Sequence, residues 1–83
     1  MWVVYVLESE RNGRYYIGCS GSMAERLAAH NEGRVKATRV LRPWKLVYTE
    51  EQSSATAARQ REYHLKRQKS RRVIEELIRS VGH

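Results

Sequence analysis

Aspartate and phenylalanine are absent from this chain, and cysteine and proline occur once each. Without Asp, sites built on aspartate pairs or triads are excluded, among them Asp-based two-metal nuclease centres and calcium loops. A single cysteine, Cys19, rules out an intrachain disulfide and a cysteine-rich zinc cluster, and it suits a reducing compartment. The lack of Phe argues against the aromatic platform of an RNA-recognition sheet. No GxxxxGK[ST] string occurs, which excludes a Walker-type nucleotide site. The longest apolar run, Trp2 to Leu7, is too short for a membrane span or a secretory core, so the expected setting is the cytoplasm, with no membrane partner.

What is present is mostly positive charge. Sixteen Lys and Arg face nine acids, all Glu, for a formal net charge of +7 on 83 residues. A chain of this size has room for one core and one domain, residues 1–83. Excess positive charge on so small a domain points to a polyanionic partner, most simply nucleic acid, with solubility as the bland alternative.

The pattern along the chain predicts three short strands and three helices. Trp2-Val3-Val4-Tyr5-Val6-Leu7 is apolar on both faces if extended, as a central strand would be. Arg11-Asn12-Gly13 supplies a turn, and Tyr15-Tyr16-Ile17-Gly18-Cys19 the return strand of a hairpin in which Tyr5 and Tyr16 can face each other. Ser22 with Glu25 reads as a capping box opening a helix to about Asn31, closed by Gly33. Gly33 to Pro43 is a loop with Arg34, Lys36, Arg39, Arg42 and no acid, expected to need a nearby anion or stay mobile. Trp44 to Thr49 reads as a third strand ended by Glu50-Glu51. Ser53 or Ser54 caps a second helix to about Arg67, and Ser70 a third ending at Gly82, whose Val73, Ile74, Leu77, Ile78 and Val81 form a packing stripe. The order β-β-α-β-α-α implies an α+β fold, a small three-stranded antiparallel sheet with flanking helices.

Several polar residues fall on apolar helical faces. His30 projects between Met23 and Leu27, with Arg26 one turn away, so both can reach one point beside the sheet; a satisfied core histidine is the plainer reading, an anion site the functional one. Glu62 projects into the stripe of Ala55, Ala58 and Leu65. A buried carboxylate needs a cation, which is either a salt bridge to Arg26 or a neighbouring Lys, or a magnesium ion completed by water and phosphate oxygens. Five of the seven aromatic residues are Tyr, more hydroxyls than a core needs. Cys19 reads as a packed thiol. Seven of the fourteen residues from Arg59 to Arg72 are basic, against one Glu, which suggests part of a nucleic-acid track.

Taken in order, these residues resemble the GIY-YIG nuclease domain over nearly the whole chain. The half-motifs appear as Val3-Val4-Tyr5 and Tyr16-Ile17-Gly18, followed by Arg26-Leu27 with His30-Asn31, Pro43-Trp44-Lys45-Leu46-Val47-Tyr48, and Glu62 within Arg61-Glu62-Tyr63-His64-Leu65-Lys66. Val3 and Val4 stand where the family has Gly and Ile, and the Asn near the end of some larger members has no counterpart. The closest similarity is to small stand-alone bacterial members related to the amino-terminal domain of the excision-repair incision subunit. The resemblance implies a metal-dependent endonuclease that hydrolyses DNA phosphodiesters in repair or recombination. Tyr5 or Tyr16 would orient or deprotonate the attacking water, with Tyr5 favoured by its central strand; Arg26 would stabilise the phosphate, His30 assist proton transfer, and Glu62 hold one Mg²⁺ or Mn²⁺. DNA contacts are expected from Arg34, Lys36, Arg39, Arg42, Lys45, Lys66, Lys69, Arg71 and Arg72. Relatives usually carry a separate DNA-binding domain, so a protein partner supplying specificity is expected. The competing function is a catalytically weak or inactive nucleic-acid-binding module on the same scaffold.

Overall fold

A computed structural model describes residues 1–68 and 70–81, the last by its backbone alone. The elements are β1 (Trp2–Ser9), β2 (Tyr15–Ser20), α1 (Met23–Asn31), β3 (Trp44–Gln52), α2 (Ala55–Gln68) and α3 (Arg71–Val81). One antiparallel sheet has the order β2-β1-β3, so the most apolar strand is central, as expected. The end of α3 at Gly82 lies outside the described residues. No described helix is long and apolar enough to cross a membrane.

Alternation along β1 serves two cores, because both faces of the sheet are covered. Tyr5 and Leu7 point to one face and pack with Trp44, Tyr16, Met23 and Leu27, beneath α1. Val4 and Val6 point to the other, against Ala58 and Leu65 of α2 and Ile74 of α3. A register shift in β3 between the partners of Val6 and Leu7 places Tyr48 opposite Val6 but Leu46 opposite Leu7. The extra residue reverses the alternation, so Trp44 and Tyr48, an even number apart, serve opposite cores. β3 runs past the expected end at Thr49 to Gln52, and Glu50 there accepts hydrogen bonds from Tyr48 Oη, Gln52 Nε2 and Arg61 Nε.

One local expectation is corrected. Ser22 makes no side-chain cap on α1; its own N–H donates to Ser20 Oγ at 2.9 Å, so the capping box does not form. The caps on the later helices do form, from Ser54 Oγ to Ala57 N–H and from Ser70 Oγ to Val73 N–H. The basic loop, expected to need an anion or stay mobile, makes a set of internal hydrogen bonds. Gly33, at φ +82°, closes α1 in a Schellman arrangement, with Arg34 N–H on Ala29 O and Gly33 N–H on His30 O. Thr38 is buried, its carbonyl takes the indole N–H of Trp44 at 2.8 Å, and a single 3₁₀ turn, Arg39–Leu41, accepts Ser9 Oγ on Leu41 O. The side chain of Asn31 bridges the ends of α1 and β3 by bonding both N–H and C=O of Trp44. Thr38 therefore turns inward, Val35 and Leu41 are half-buried, and the exposed cations face water.

Candidate active site

Tyr5 and Tyr16 share the α1 face of the sheet but are not directly opposed: Tyr5 pairs with Gly18 and Tyr16 with Leu7. Gly18 is what lets the Tyr5 ring lie across β2. A Cβ built there would overlap Tyr5 Oη and lie 2.6 Å from its Cζ. The glycine of the Tyr-Ile-Gly string thus has a packing reason.

The Tyr5 hydroxyl meets His30 Nε2 at 2.9 Å, and His30 Nδ1 meets Thr38 Oγ1 at 2.7 Å. Thr38 Oγ1 donates to Val35 O, which assigns Nδ1–H as donor to Thr38 and Nε2 as acceptor for the Tyr5 O–H. His30 is 0% exposed, and no buried side-chain polar atom among the described residues lacks a partner. Burial, helped by the charge of Arg26, lowers the His30 pKa from 6.5 to about 4, so the ring is neutral at pH 7. Thr38 is the member sequence reasoning missed. A Thr eight residues after a His has no periodicity to mark it.

Arg26 projects from the middle of α1 towards both phenols. Hydrogen bonding to Tyr5 outweighs burial and raises its pKa, with Tyr16 adding to the effect, so the guanidinium stays charged. Tyr5 is 1% exposed, and its pKa is raised because burial outweighs the hydrogen bond and charge of Arg26. Tyr16 is half-buried, with its ring edge-on to His30 at 5.1 Å and the Lys66 ammonium 5.7 Å from its centroid. On its other side Arg26 borders a cleft of about 250 Å³ with Ser20, Ser22 and Arg34.

Glu62 sits on the sheet side of α2, in line with buried Ala58 and Leu65, with its side chain 21% exposed. Its cation is Lys66, at 2.6 Å, rather than Arg26. Its negative charge is felt by Tyr5, and with burial as the larger cause it pushes the Cys19 thiol up to about 11. Cys19 is therefore a packed, protonated thiol beside the carboxylate. Among the described residues there is no group of three His, Cys, Asp or Glu able to hold a metal ion. A cation here would have one protein carboxylate, already shown by Lys66 to accept positive charge.

The structure thus gathers Tyr16, Arg26 and His30 around Tyr5 and brings Glu62 within electrostatic reach of Tyr5, although they come from both strands of the hairpin and two helices on opposite faces. The expected DNA-contacting residues are more dispersed. Arg34 pairs with Glu32, Arg39 donates to Gly33 O, Lys36 and Arg42 are exposed on the same loop, and Lys45 stands 3.7 Å from Glu8. Lys66 is inside the site, Arg72 is exposed, and Lys69 lies outside the described residues. Arg71 is committed to packing, with bonds to Glu75 and Gly13 O and its guanidinium 4.5 Å from the Tyr15 ring centroid.

Comparison with known proteins gives the family. The GIY-YIG catalytic domain matches residues 1–75. A UPF0213 protein of Streptococcus pneumoniae is 46% identical over 67 residues, covering 80% of this chain and 67% of that protein. One from Staphylococcus haemolyticus is 39% identical, covering 88% and 93% respectively. The solution structure of a UPF0213 protein from Bacillus halodurans superposes with a TM-score of 0.61 at 34% identity, over 99% of this chain and 87% of that one. The chain belongs to the GIY-YIG nuclease family, among its small UPF0213 members.

Proposed function

We propose that this protein is an endonuclease that hydrolyses DNA phosphodiesters with one Mg²⁺ or Mn²⁺ on Glu62. The observation that carries this reading is the meeting of a charged guanidinium with two phenols, one of which, Tyr5, also feels the Glu62 carboxylate. A binding surface alone has no use for a carboxylate facing a phosphate. Mg²⁺ keeps much of its water shell and is often held by one or two carboxylates plus substrate phosphate, so one Glu suffices. When bound, the ion would neutralise charge growing on the scissile phosphate.

The chain's own residues divide the remaining work. Arg26 binds non-bridging phosphate oxygens and stabilises the extra charge of the transition state. Tyr16, the less buried phenol, orients the attacking water and, in its phenolate form, takes up its proton; the water oxygen bonds to phosphorus as the P–O ester bond breaks, and the leaving oxygen gains a proton from solvent. Tyr5 acts as a neutral phenol, because burial raises its pKa. This reverses the preference for Tyr5 drawn from its central strand. His30, buried and neutral, orients the Tyr5 hydroxyl and thereby Arg26.

The test is incubation with nicked, branched and linear DNA, with and without Mg²⁺ or Mn²⁺. Glu62→Gln is expected to abolish cleavage and leave DNA binding equal or tighter. Cleavage undiminished in the variant would refute the metal role, and DNA binding without cleavage by the unaltered protein would favour the binding module.

A further inference from the structure

Beyond Tyr16 a second cleft, of about 400 Å³, opens between the β2 edge and the α2–α3 junction. Its floor is apolar, built by Ile17, Leu65 and Ile74, and its rim carries Arg14, Lys66 and Arg71. No carboxylate is among its lining residues. Arg71 and Arg14 are both exposed, and Arg71 is also bonded to Glu75 and Gly13 O and stacked on the Tyr15 ring. An apolar floor alone would accept any greasy group. With Arg14 on the rim beside Lys66 and Arg71, which also pair with Glu62 and Glu75, it favours a flat apolar body bearing an anion.

We propose that this cleft is a nucleotide subsite, taking one unpaired base beside the scissile phosphate, with that nucleotide's phosphate on Arg14 and Lys66. The proposal rests on the phosphodiester-cleaving reading of the site. Continuity supports it: Tyr16 and Lys66 belong both to the site and to the cleft, so a strand held at Arg26 and Tyr16 runs on into it. The space is at the low end for small-ligand pockets, about 300–1,000 Å³, enough for one nucleotide and not for a duplex. A base can enter only outside the helical stack. The preferred substrate is therefore DNA with an unpaired nucleotide next to the cut, such as a flap, a frayed nick or a single strand, and not intact duplex.

The test follows backbone amide shifts on titration with the dinucleotide pdTpdT in the absence of metal, alongside an abasic analogue that keeps the phosphates. Shifts are expected at Ile17, Leu65, Ser70 and Ile74. Affinity should fall roughly tenfold when the bases are removed, the scale of one base contact. It should also fall severalfold in Arg14→Glu, a surface change. Shifts confined to Arg34–Arg42, equal affinity for the abasic analogue, or stronger shifts of the same amides by an acidic peptide would each overturn the subsite. Metal-dependent cleavage is measured in parallel. Cleavage with an unperturbed cleft overturns the subsite alone; an occupied cleft without cleavage supports the subsite and counts against the catalytic reading alone.

Discussion

The buried histidine should make the stability of this protein depend on pH in a defined window. In the unfolded chain His30 has its ordinary pKa of 6.5, and in the folded protein burial and Arg26 hold it at about 4. As pH falls below the unfolded value, the unfolded chain binds a proton that the native ring refuses, and unfolding is favoured. The loss continues until the native ring also protonates near pH 4, below which this contribution is flat. At about 1.4 kcal/mol for each pH unit, the gap amounts to roughly 3 kcal/mol. That is a large part of the ~5–15 kcal/mol typical of a small domain. In urea it corresponds to a midpoint shift on the order of 1–3 M. The assay is urea unfolding followed by tryptophan fluorescence between about pH 7.5 and pH 4, for the wild type and His30→Gln. Gln cannot titrate, so the variant, less stable at neutral pH because it disturbs the Tyr5 and Thr38 bonds, should lose less on acidification, and the two curves should converge. Carboxylate titration is common to both and cancels in the comparison. Parallel curves would refute the buried, neutral ring.

Three further outcomes are expected. Gly18→Ala forces its methyl into Tyr5, an overpacking cost of about 1–3 kcal/mol, and should lower Tm; an unchanged Tm would remove the packing reason for this glycine. Thr38→Val leaves His30 Nδ1 without its partner and should cost about 1–3 kcal/mol, partly restored by Thr38→Ser; equal stability of the Val and Ser variants would place the hydroxyl outside the relay. Replacing Lys36 and Arg42 by Ala should reduce the slope of log K against log salt by roughly 2, alike for all sequences; an unaltered slope would put the phosphate contacts on other residues.

The strands and helices were legible because their signals are local. The apolar run of β1 needs cover on both faces wherever it is placed, and the stripes of α2 and α3 name the sides that meet the sheet. Ser54 and Ser70 were readable as caps by position, and the same rule failed at Ser22, whose N–H bonds Ser20 Oγ while its own hydroxyl makes no cap. The internal bonds of the basic loop were not legible for a related reason: four cations without an acid dominate its sequence, whereas a single Thr hydroxyl, a Trp N–H and an Asn amide make its contacts.

By itself the sequence determined the element order, the central strand and the absence of Asp chemistry, since composition and one-dimensional spacing carry these, and its resemblance to the GIY-YIG domain named Tyr5, Tyr16, Arg26, His30 and Glu62 as candidates. Tertiary structure decided how those residues divide. Register placed Gly18 opposite Tyr5, and burial made His30 neutral and Tyr5 harder to ionise. Desolvation and contact across the sheet depend on what lies opposite a residue in space, and no spacing along the chain encodes that directly.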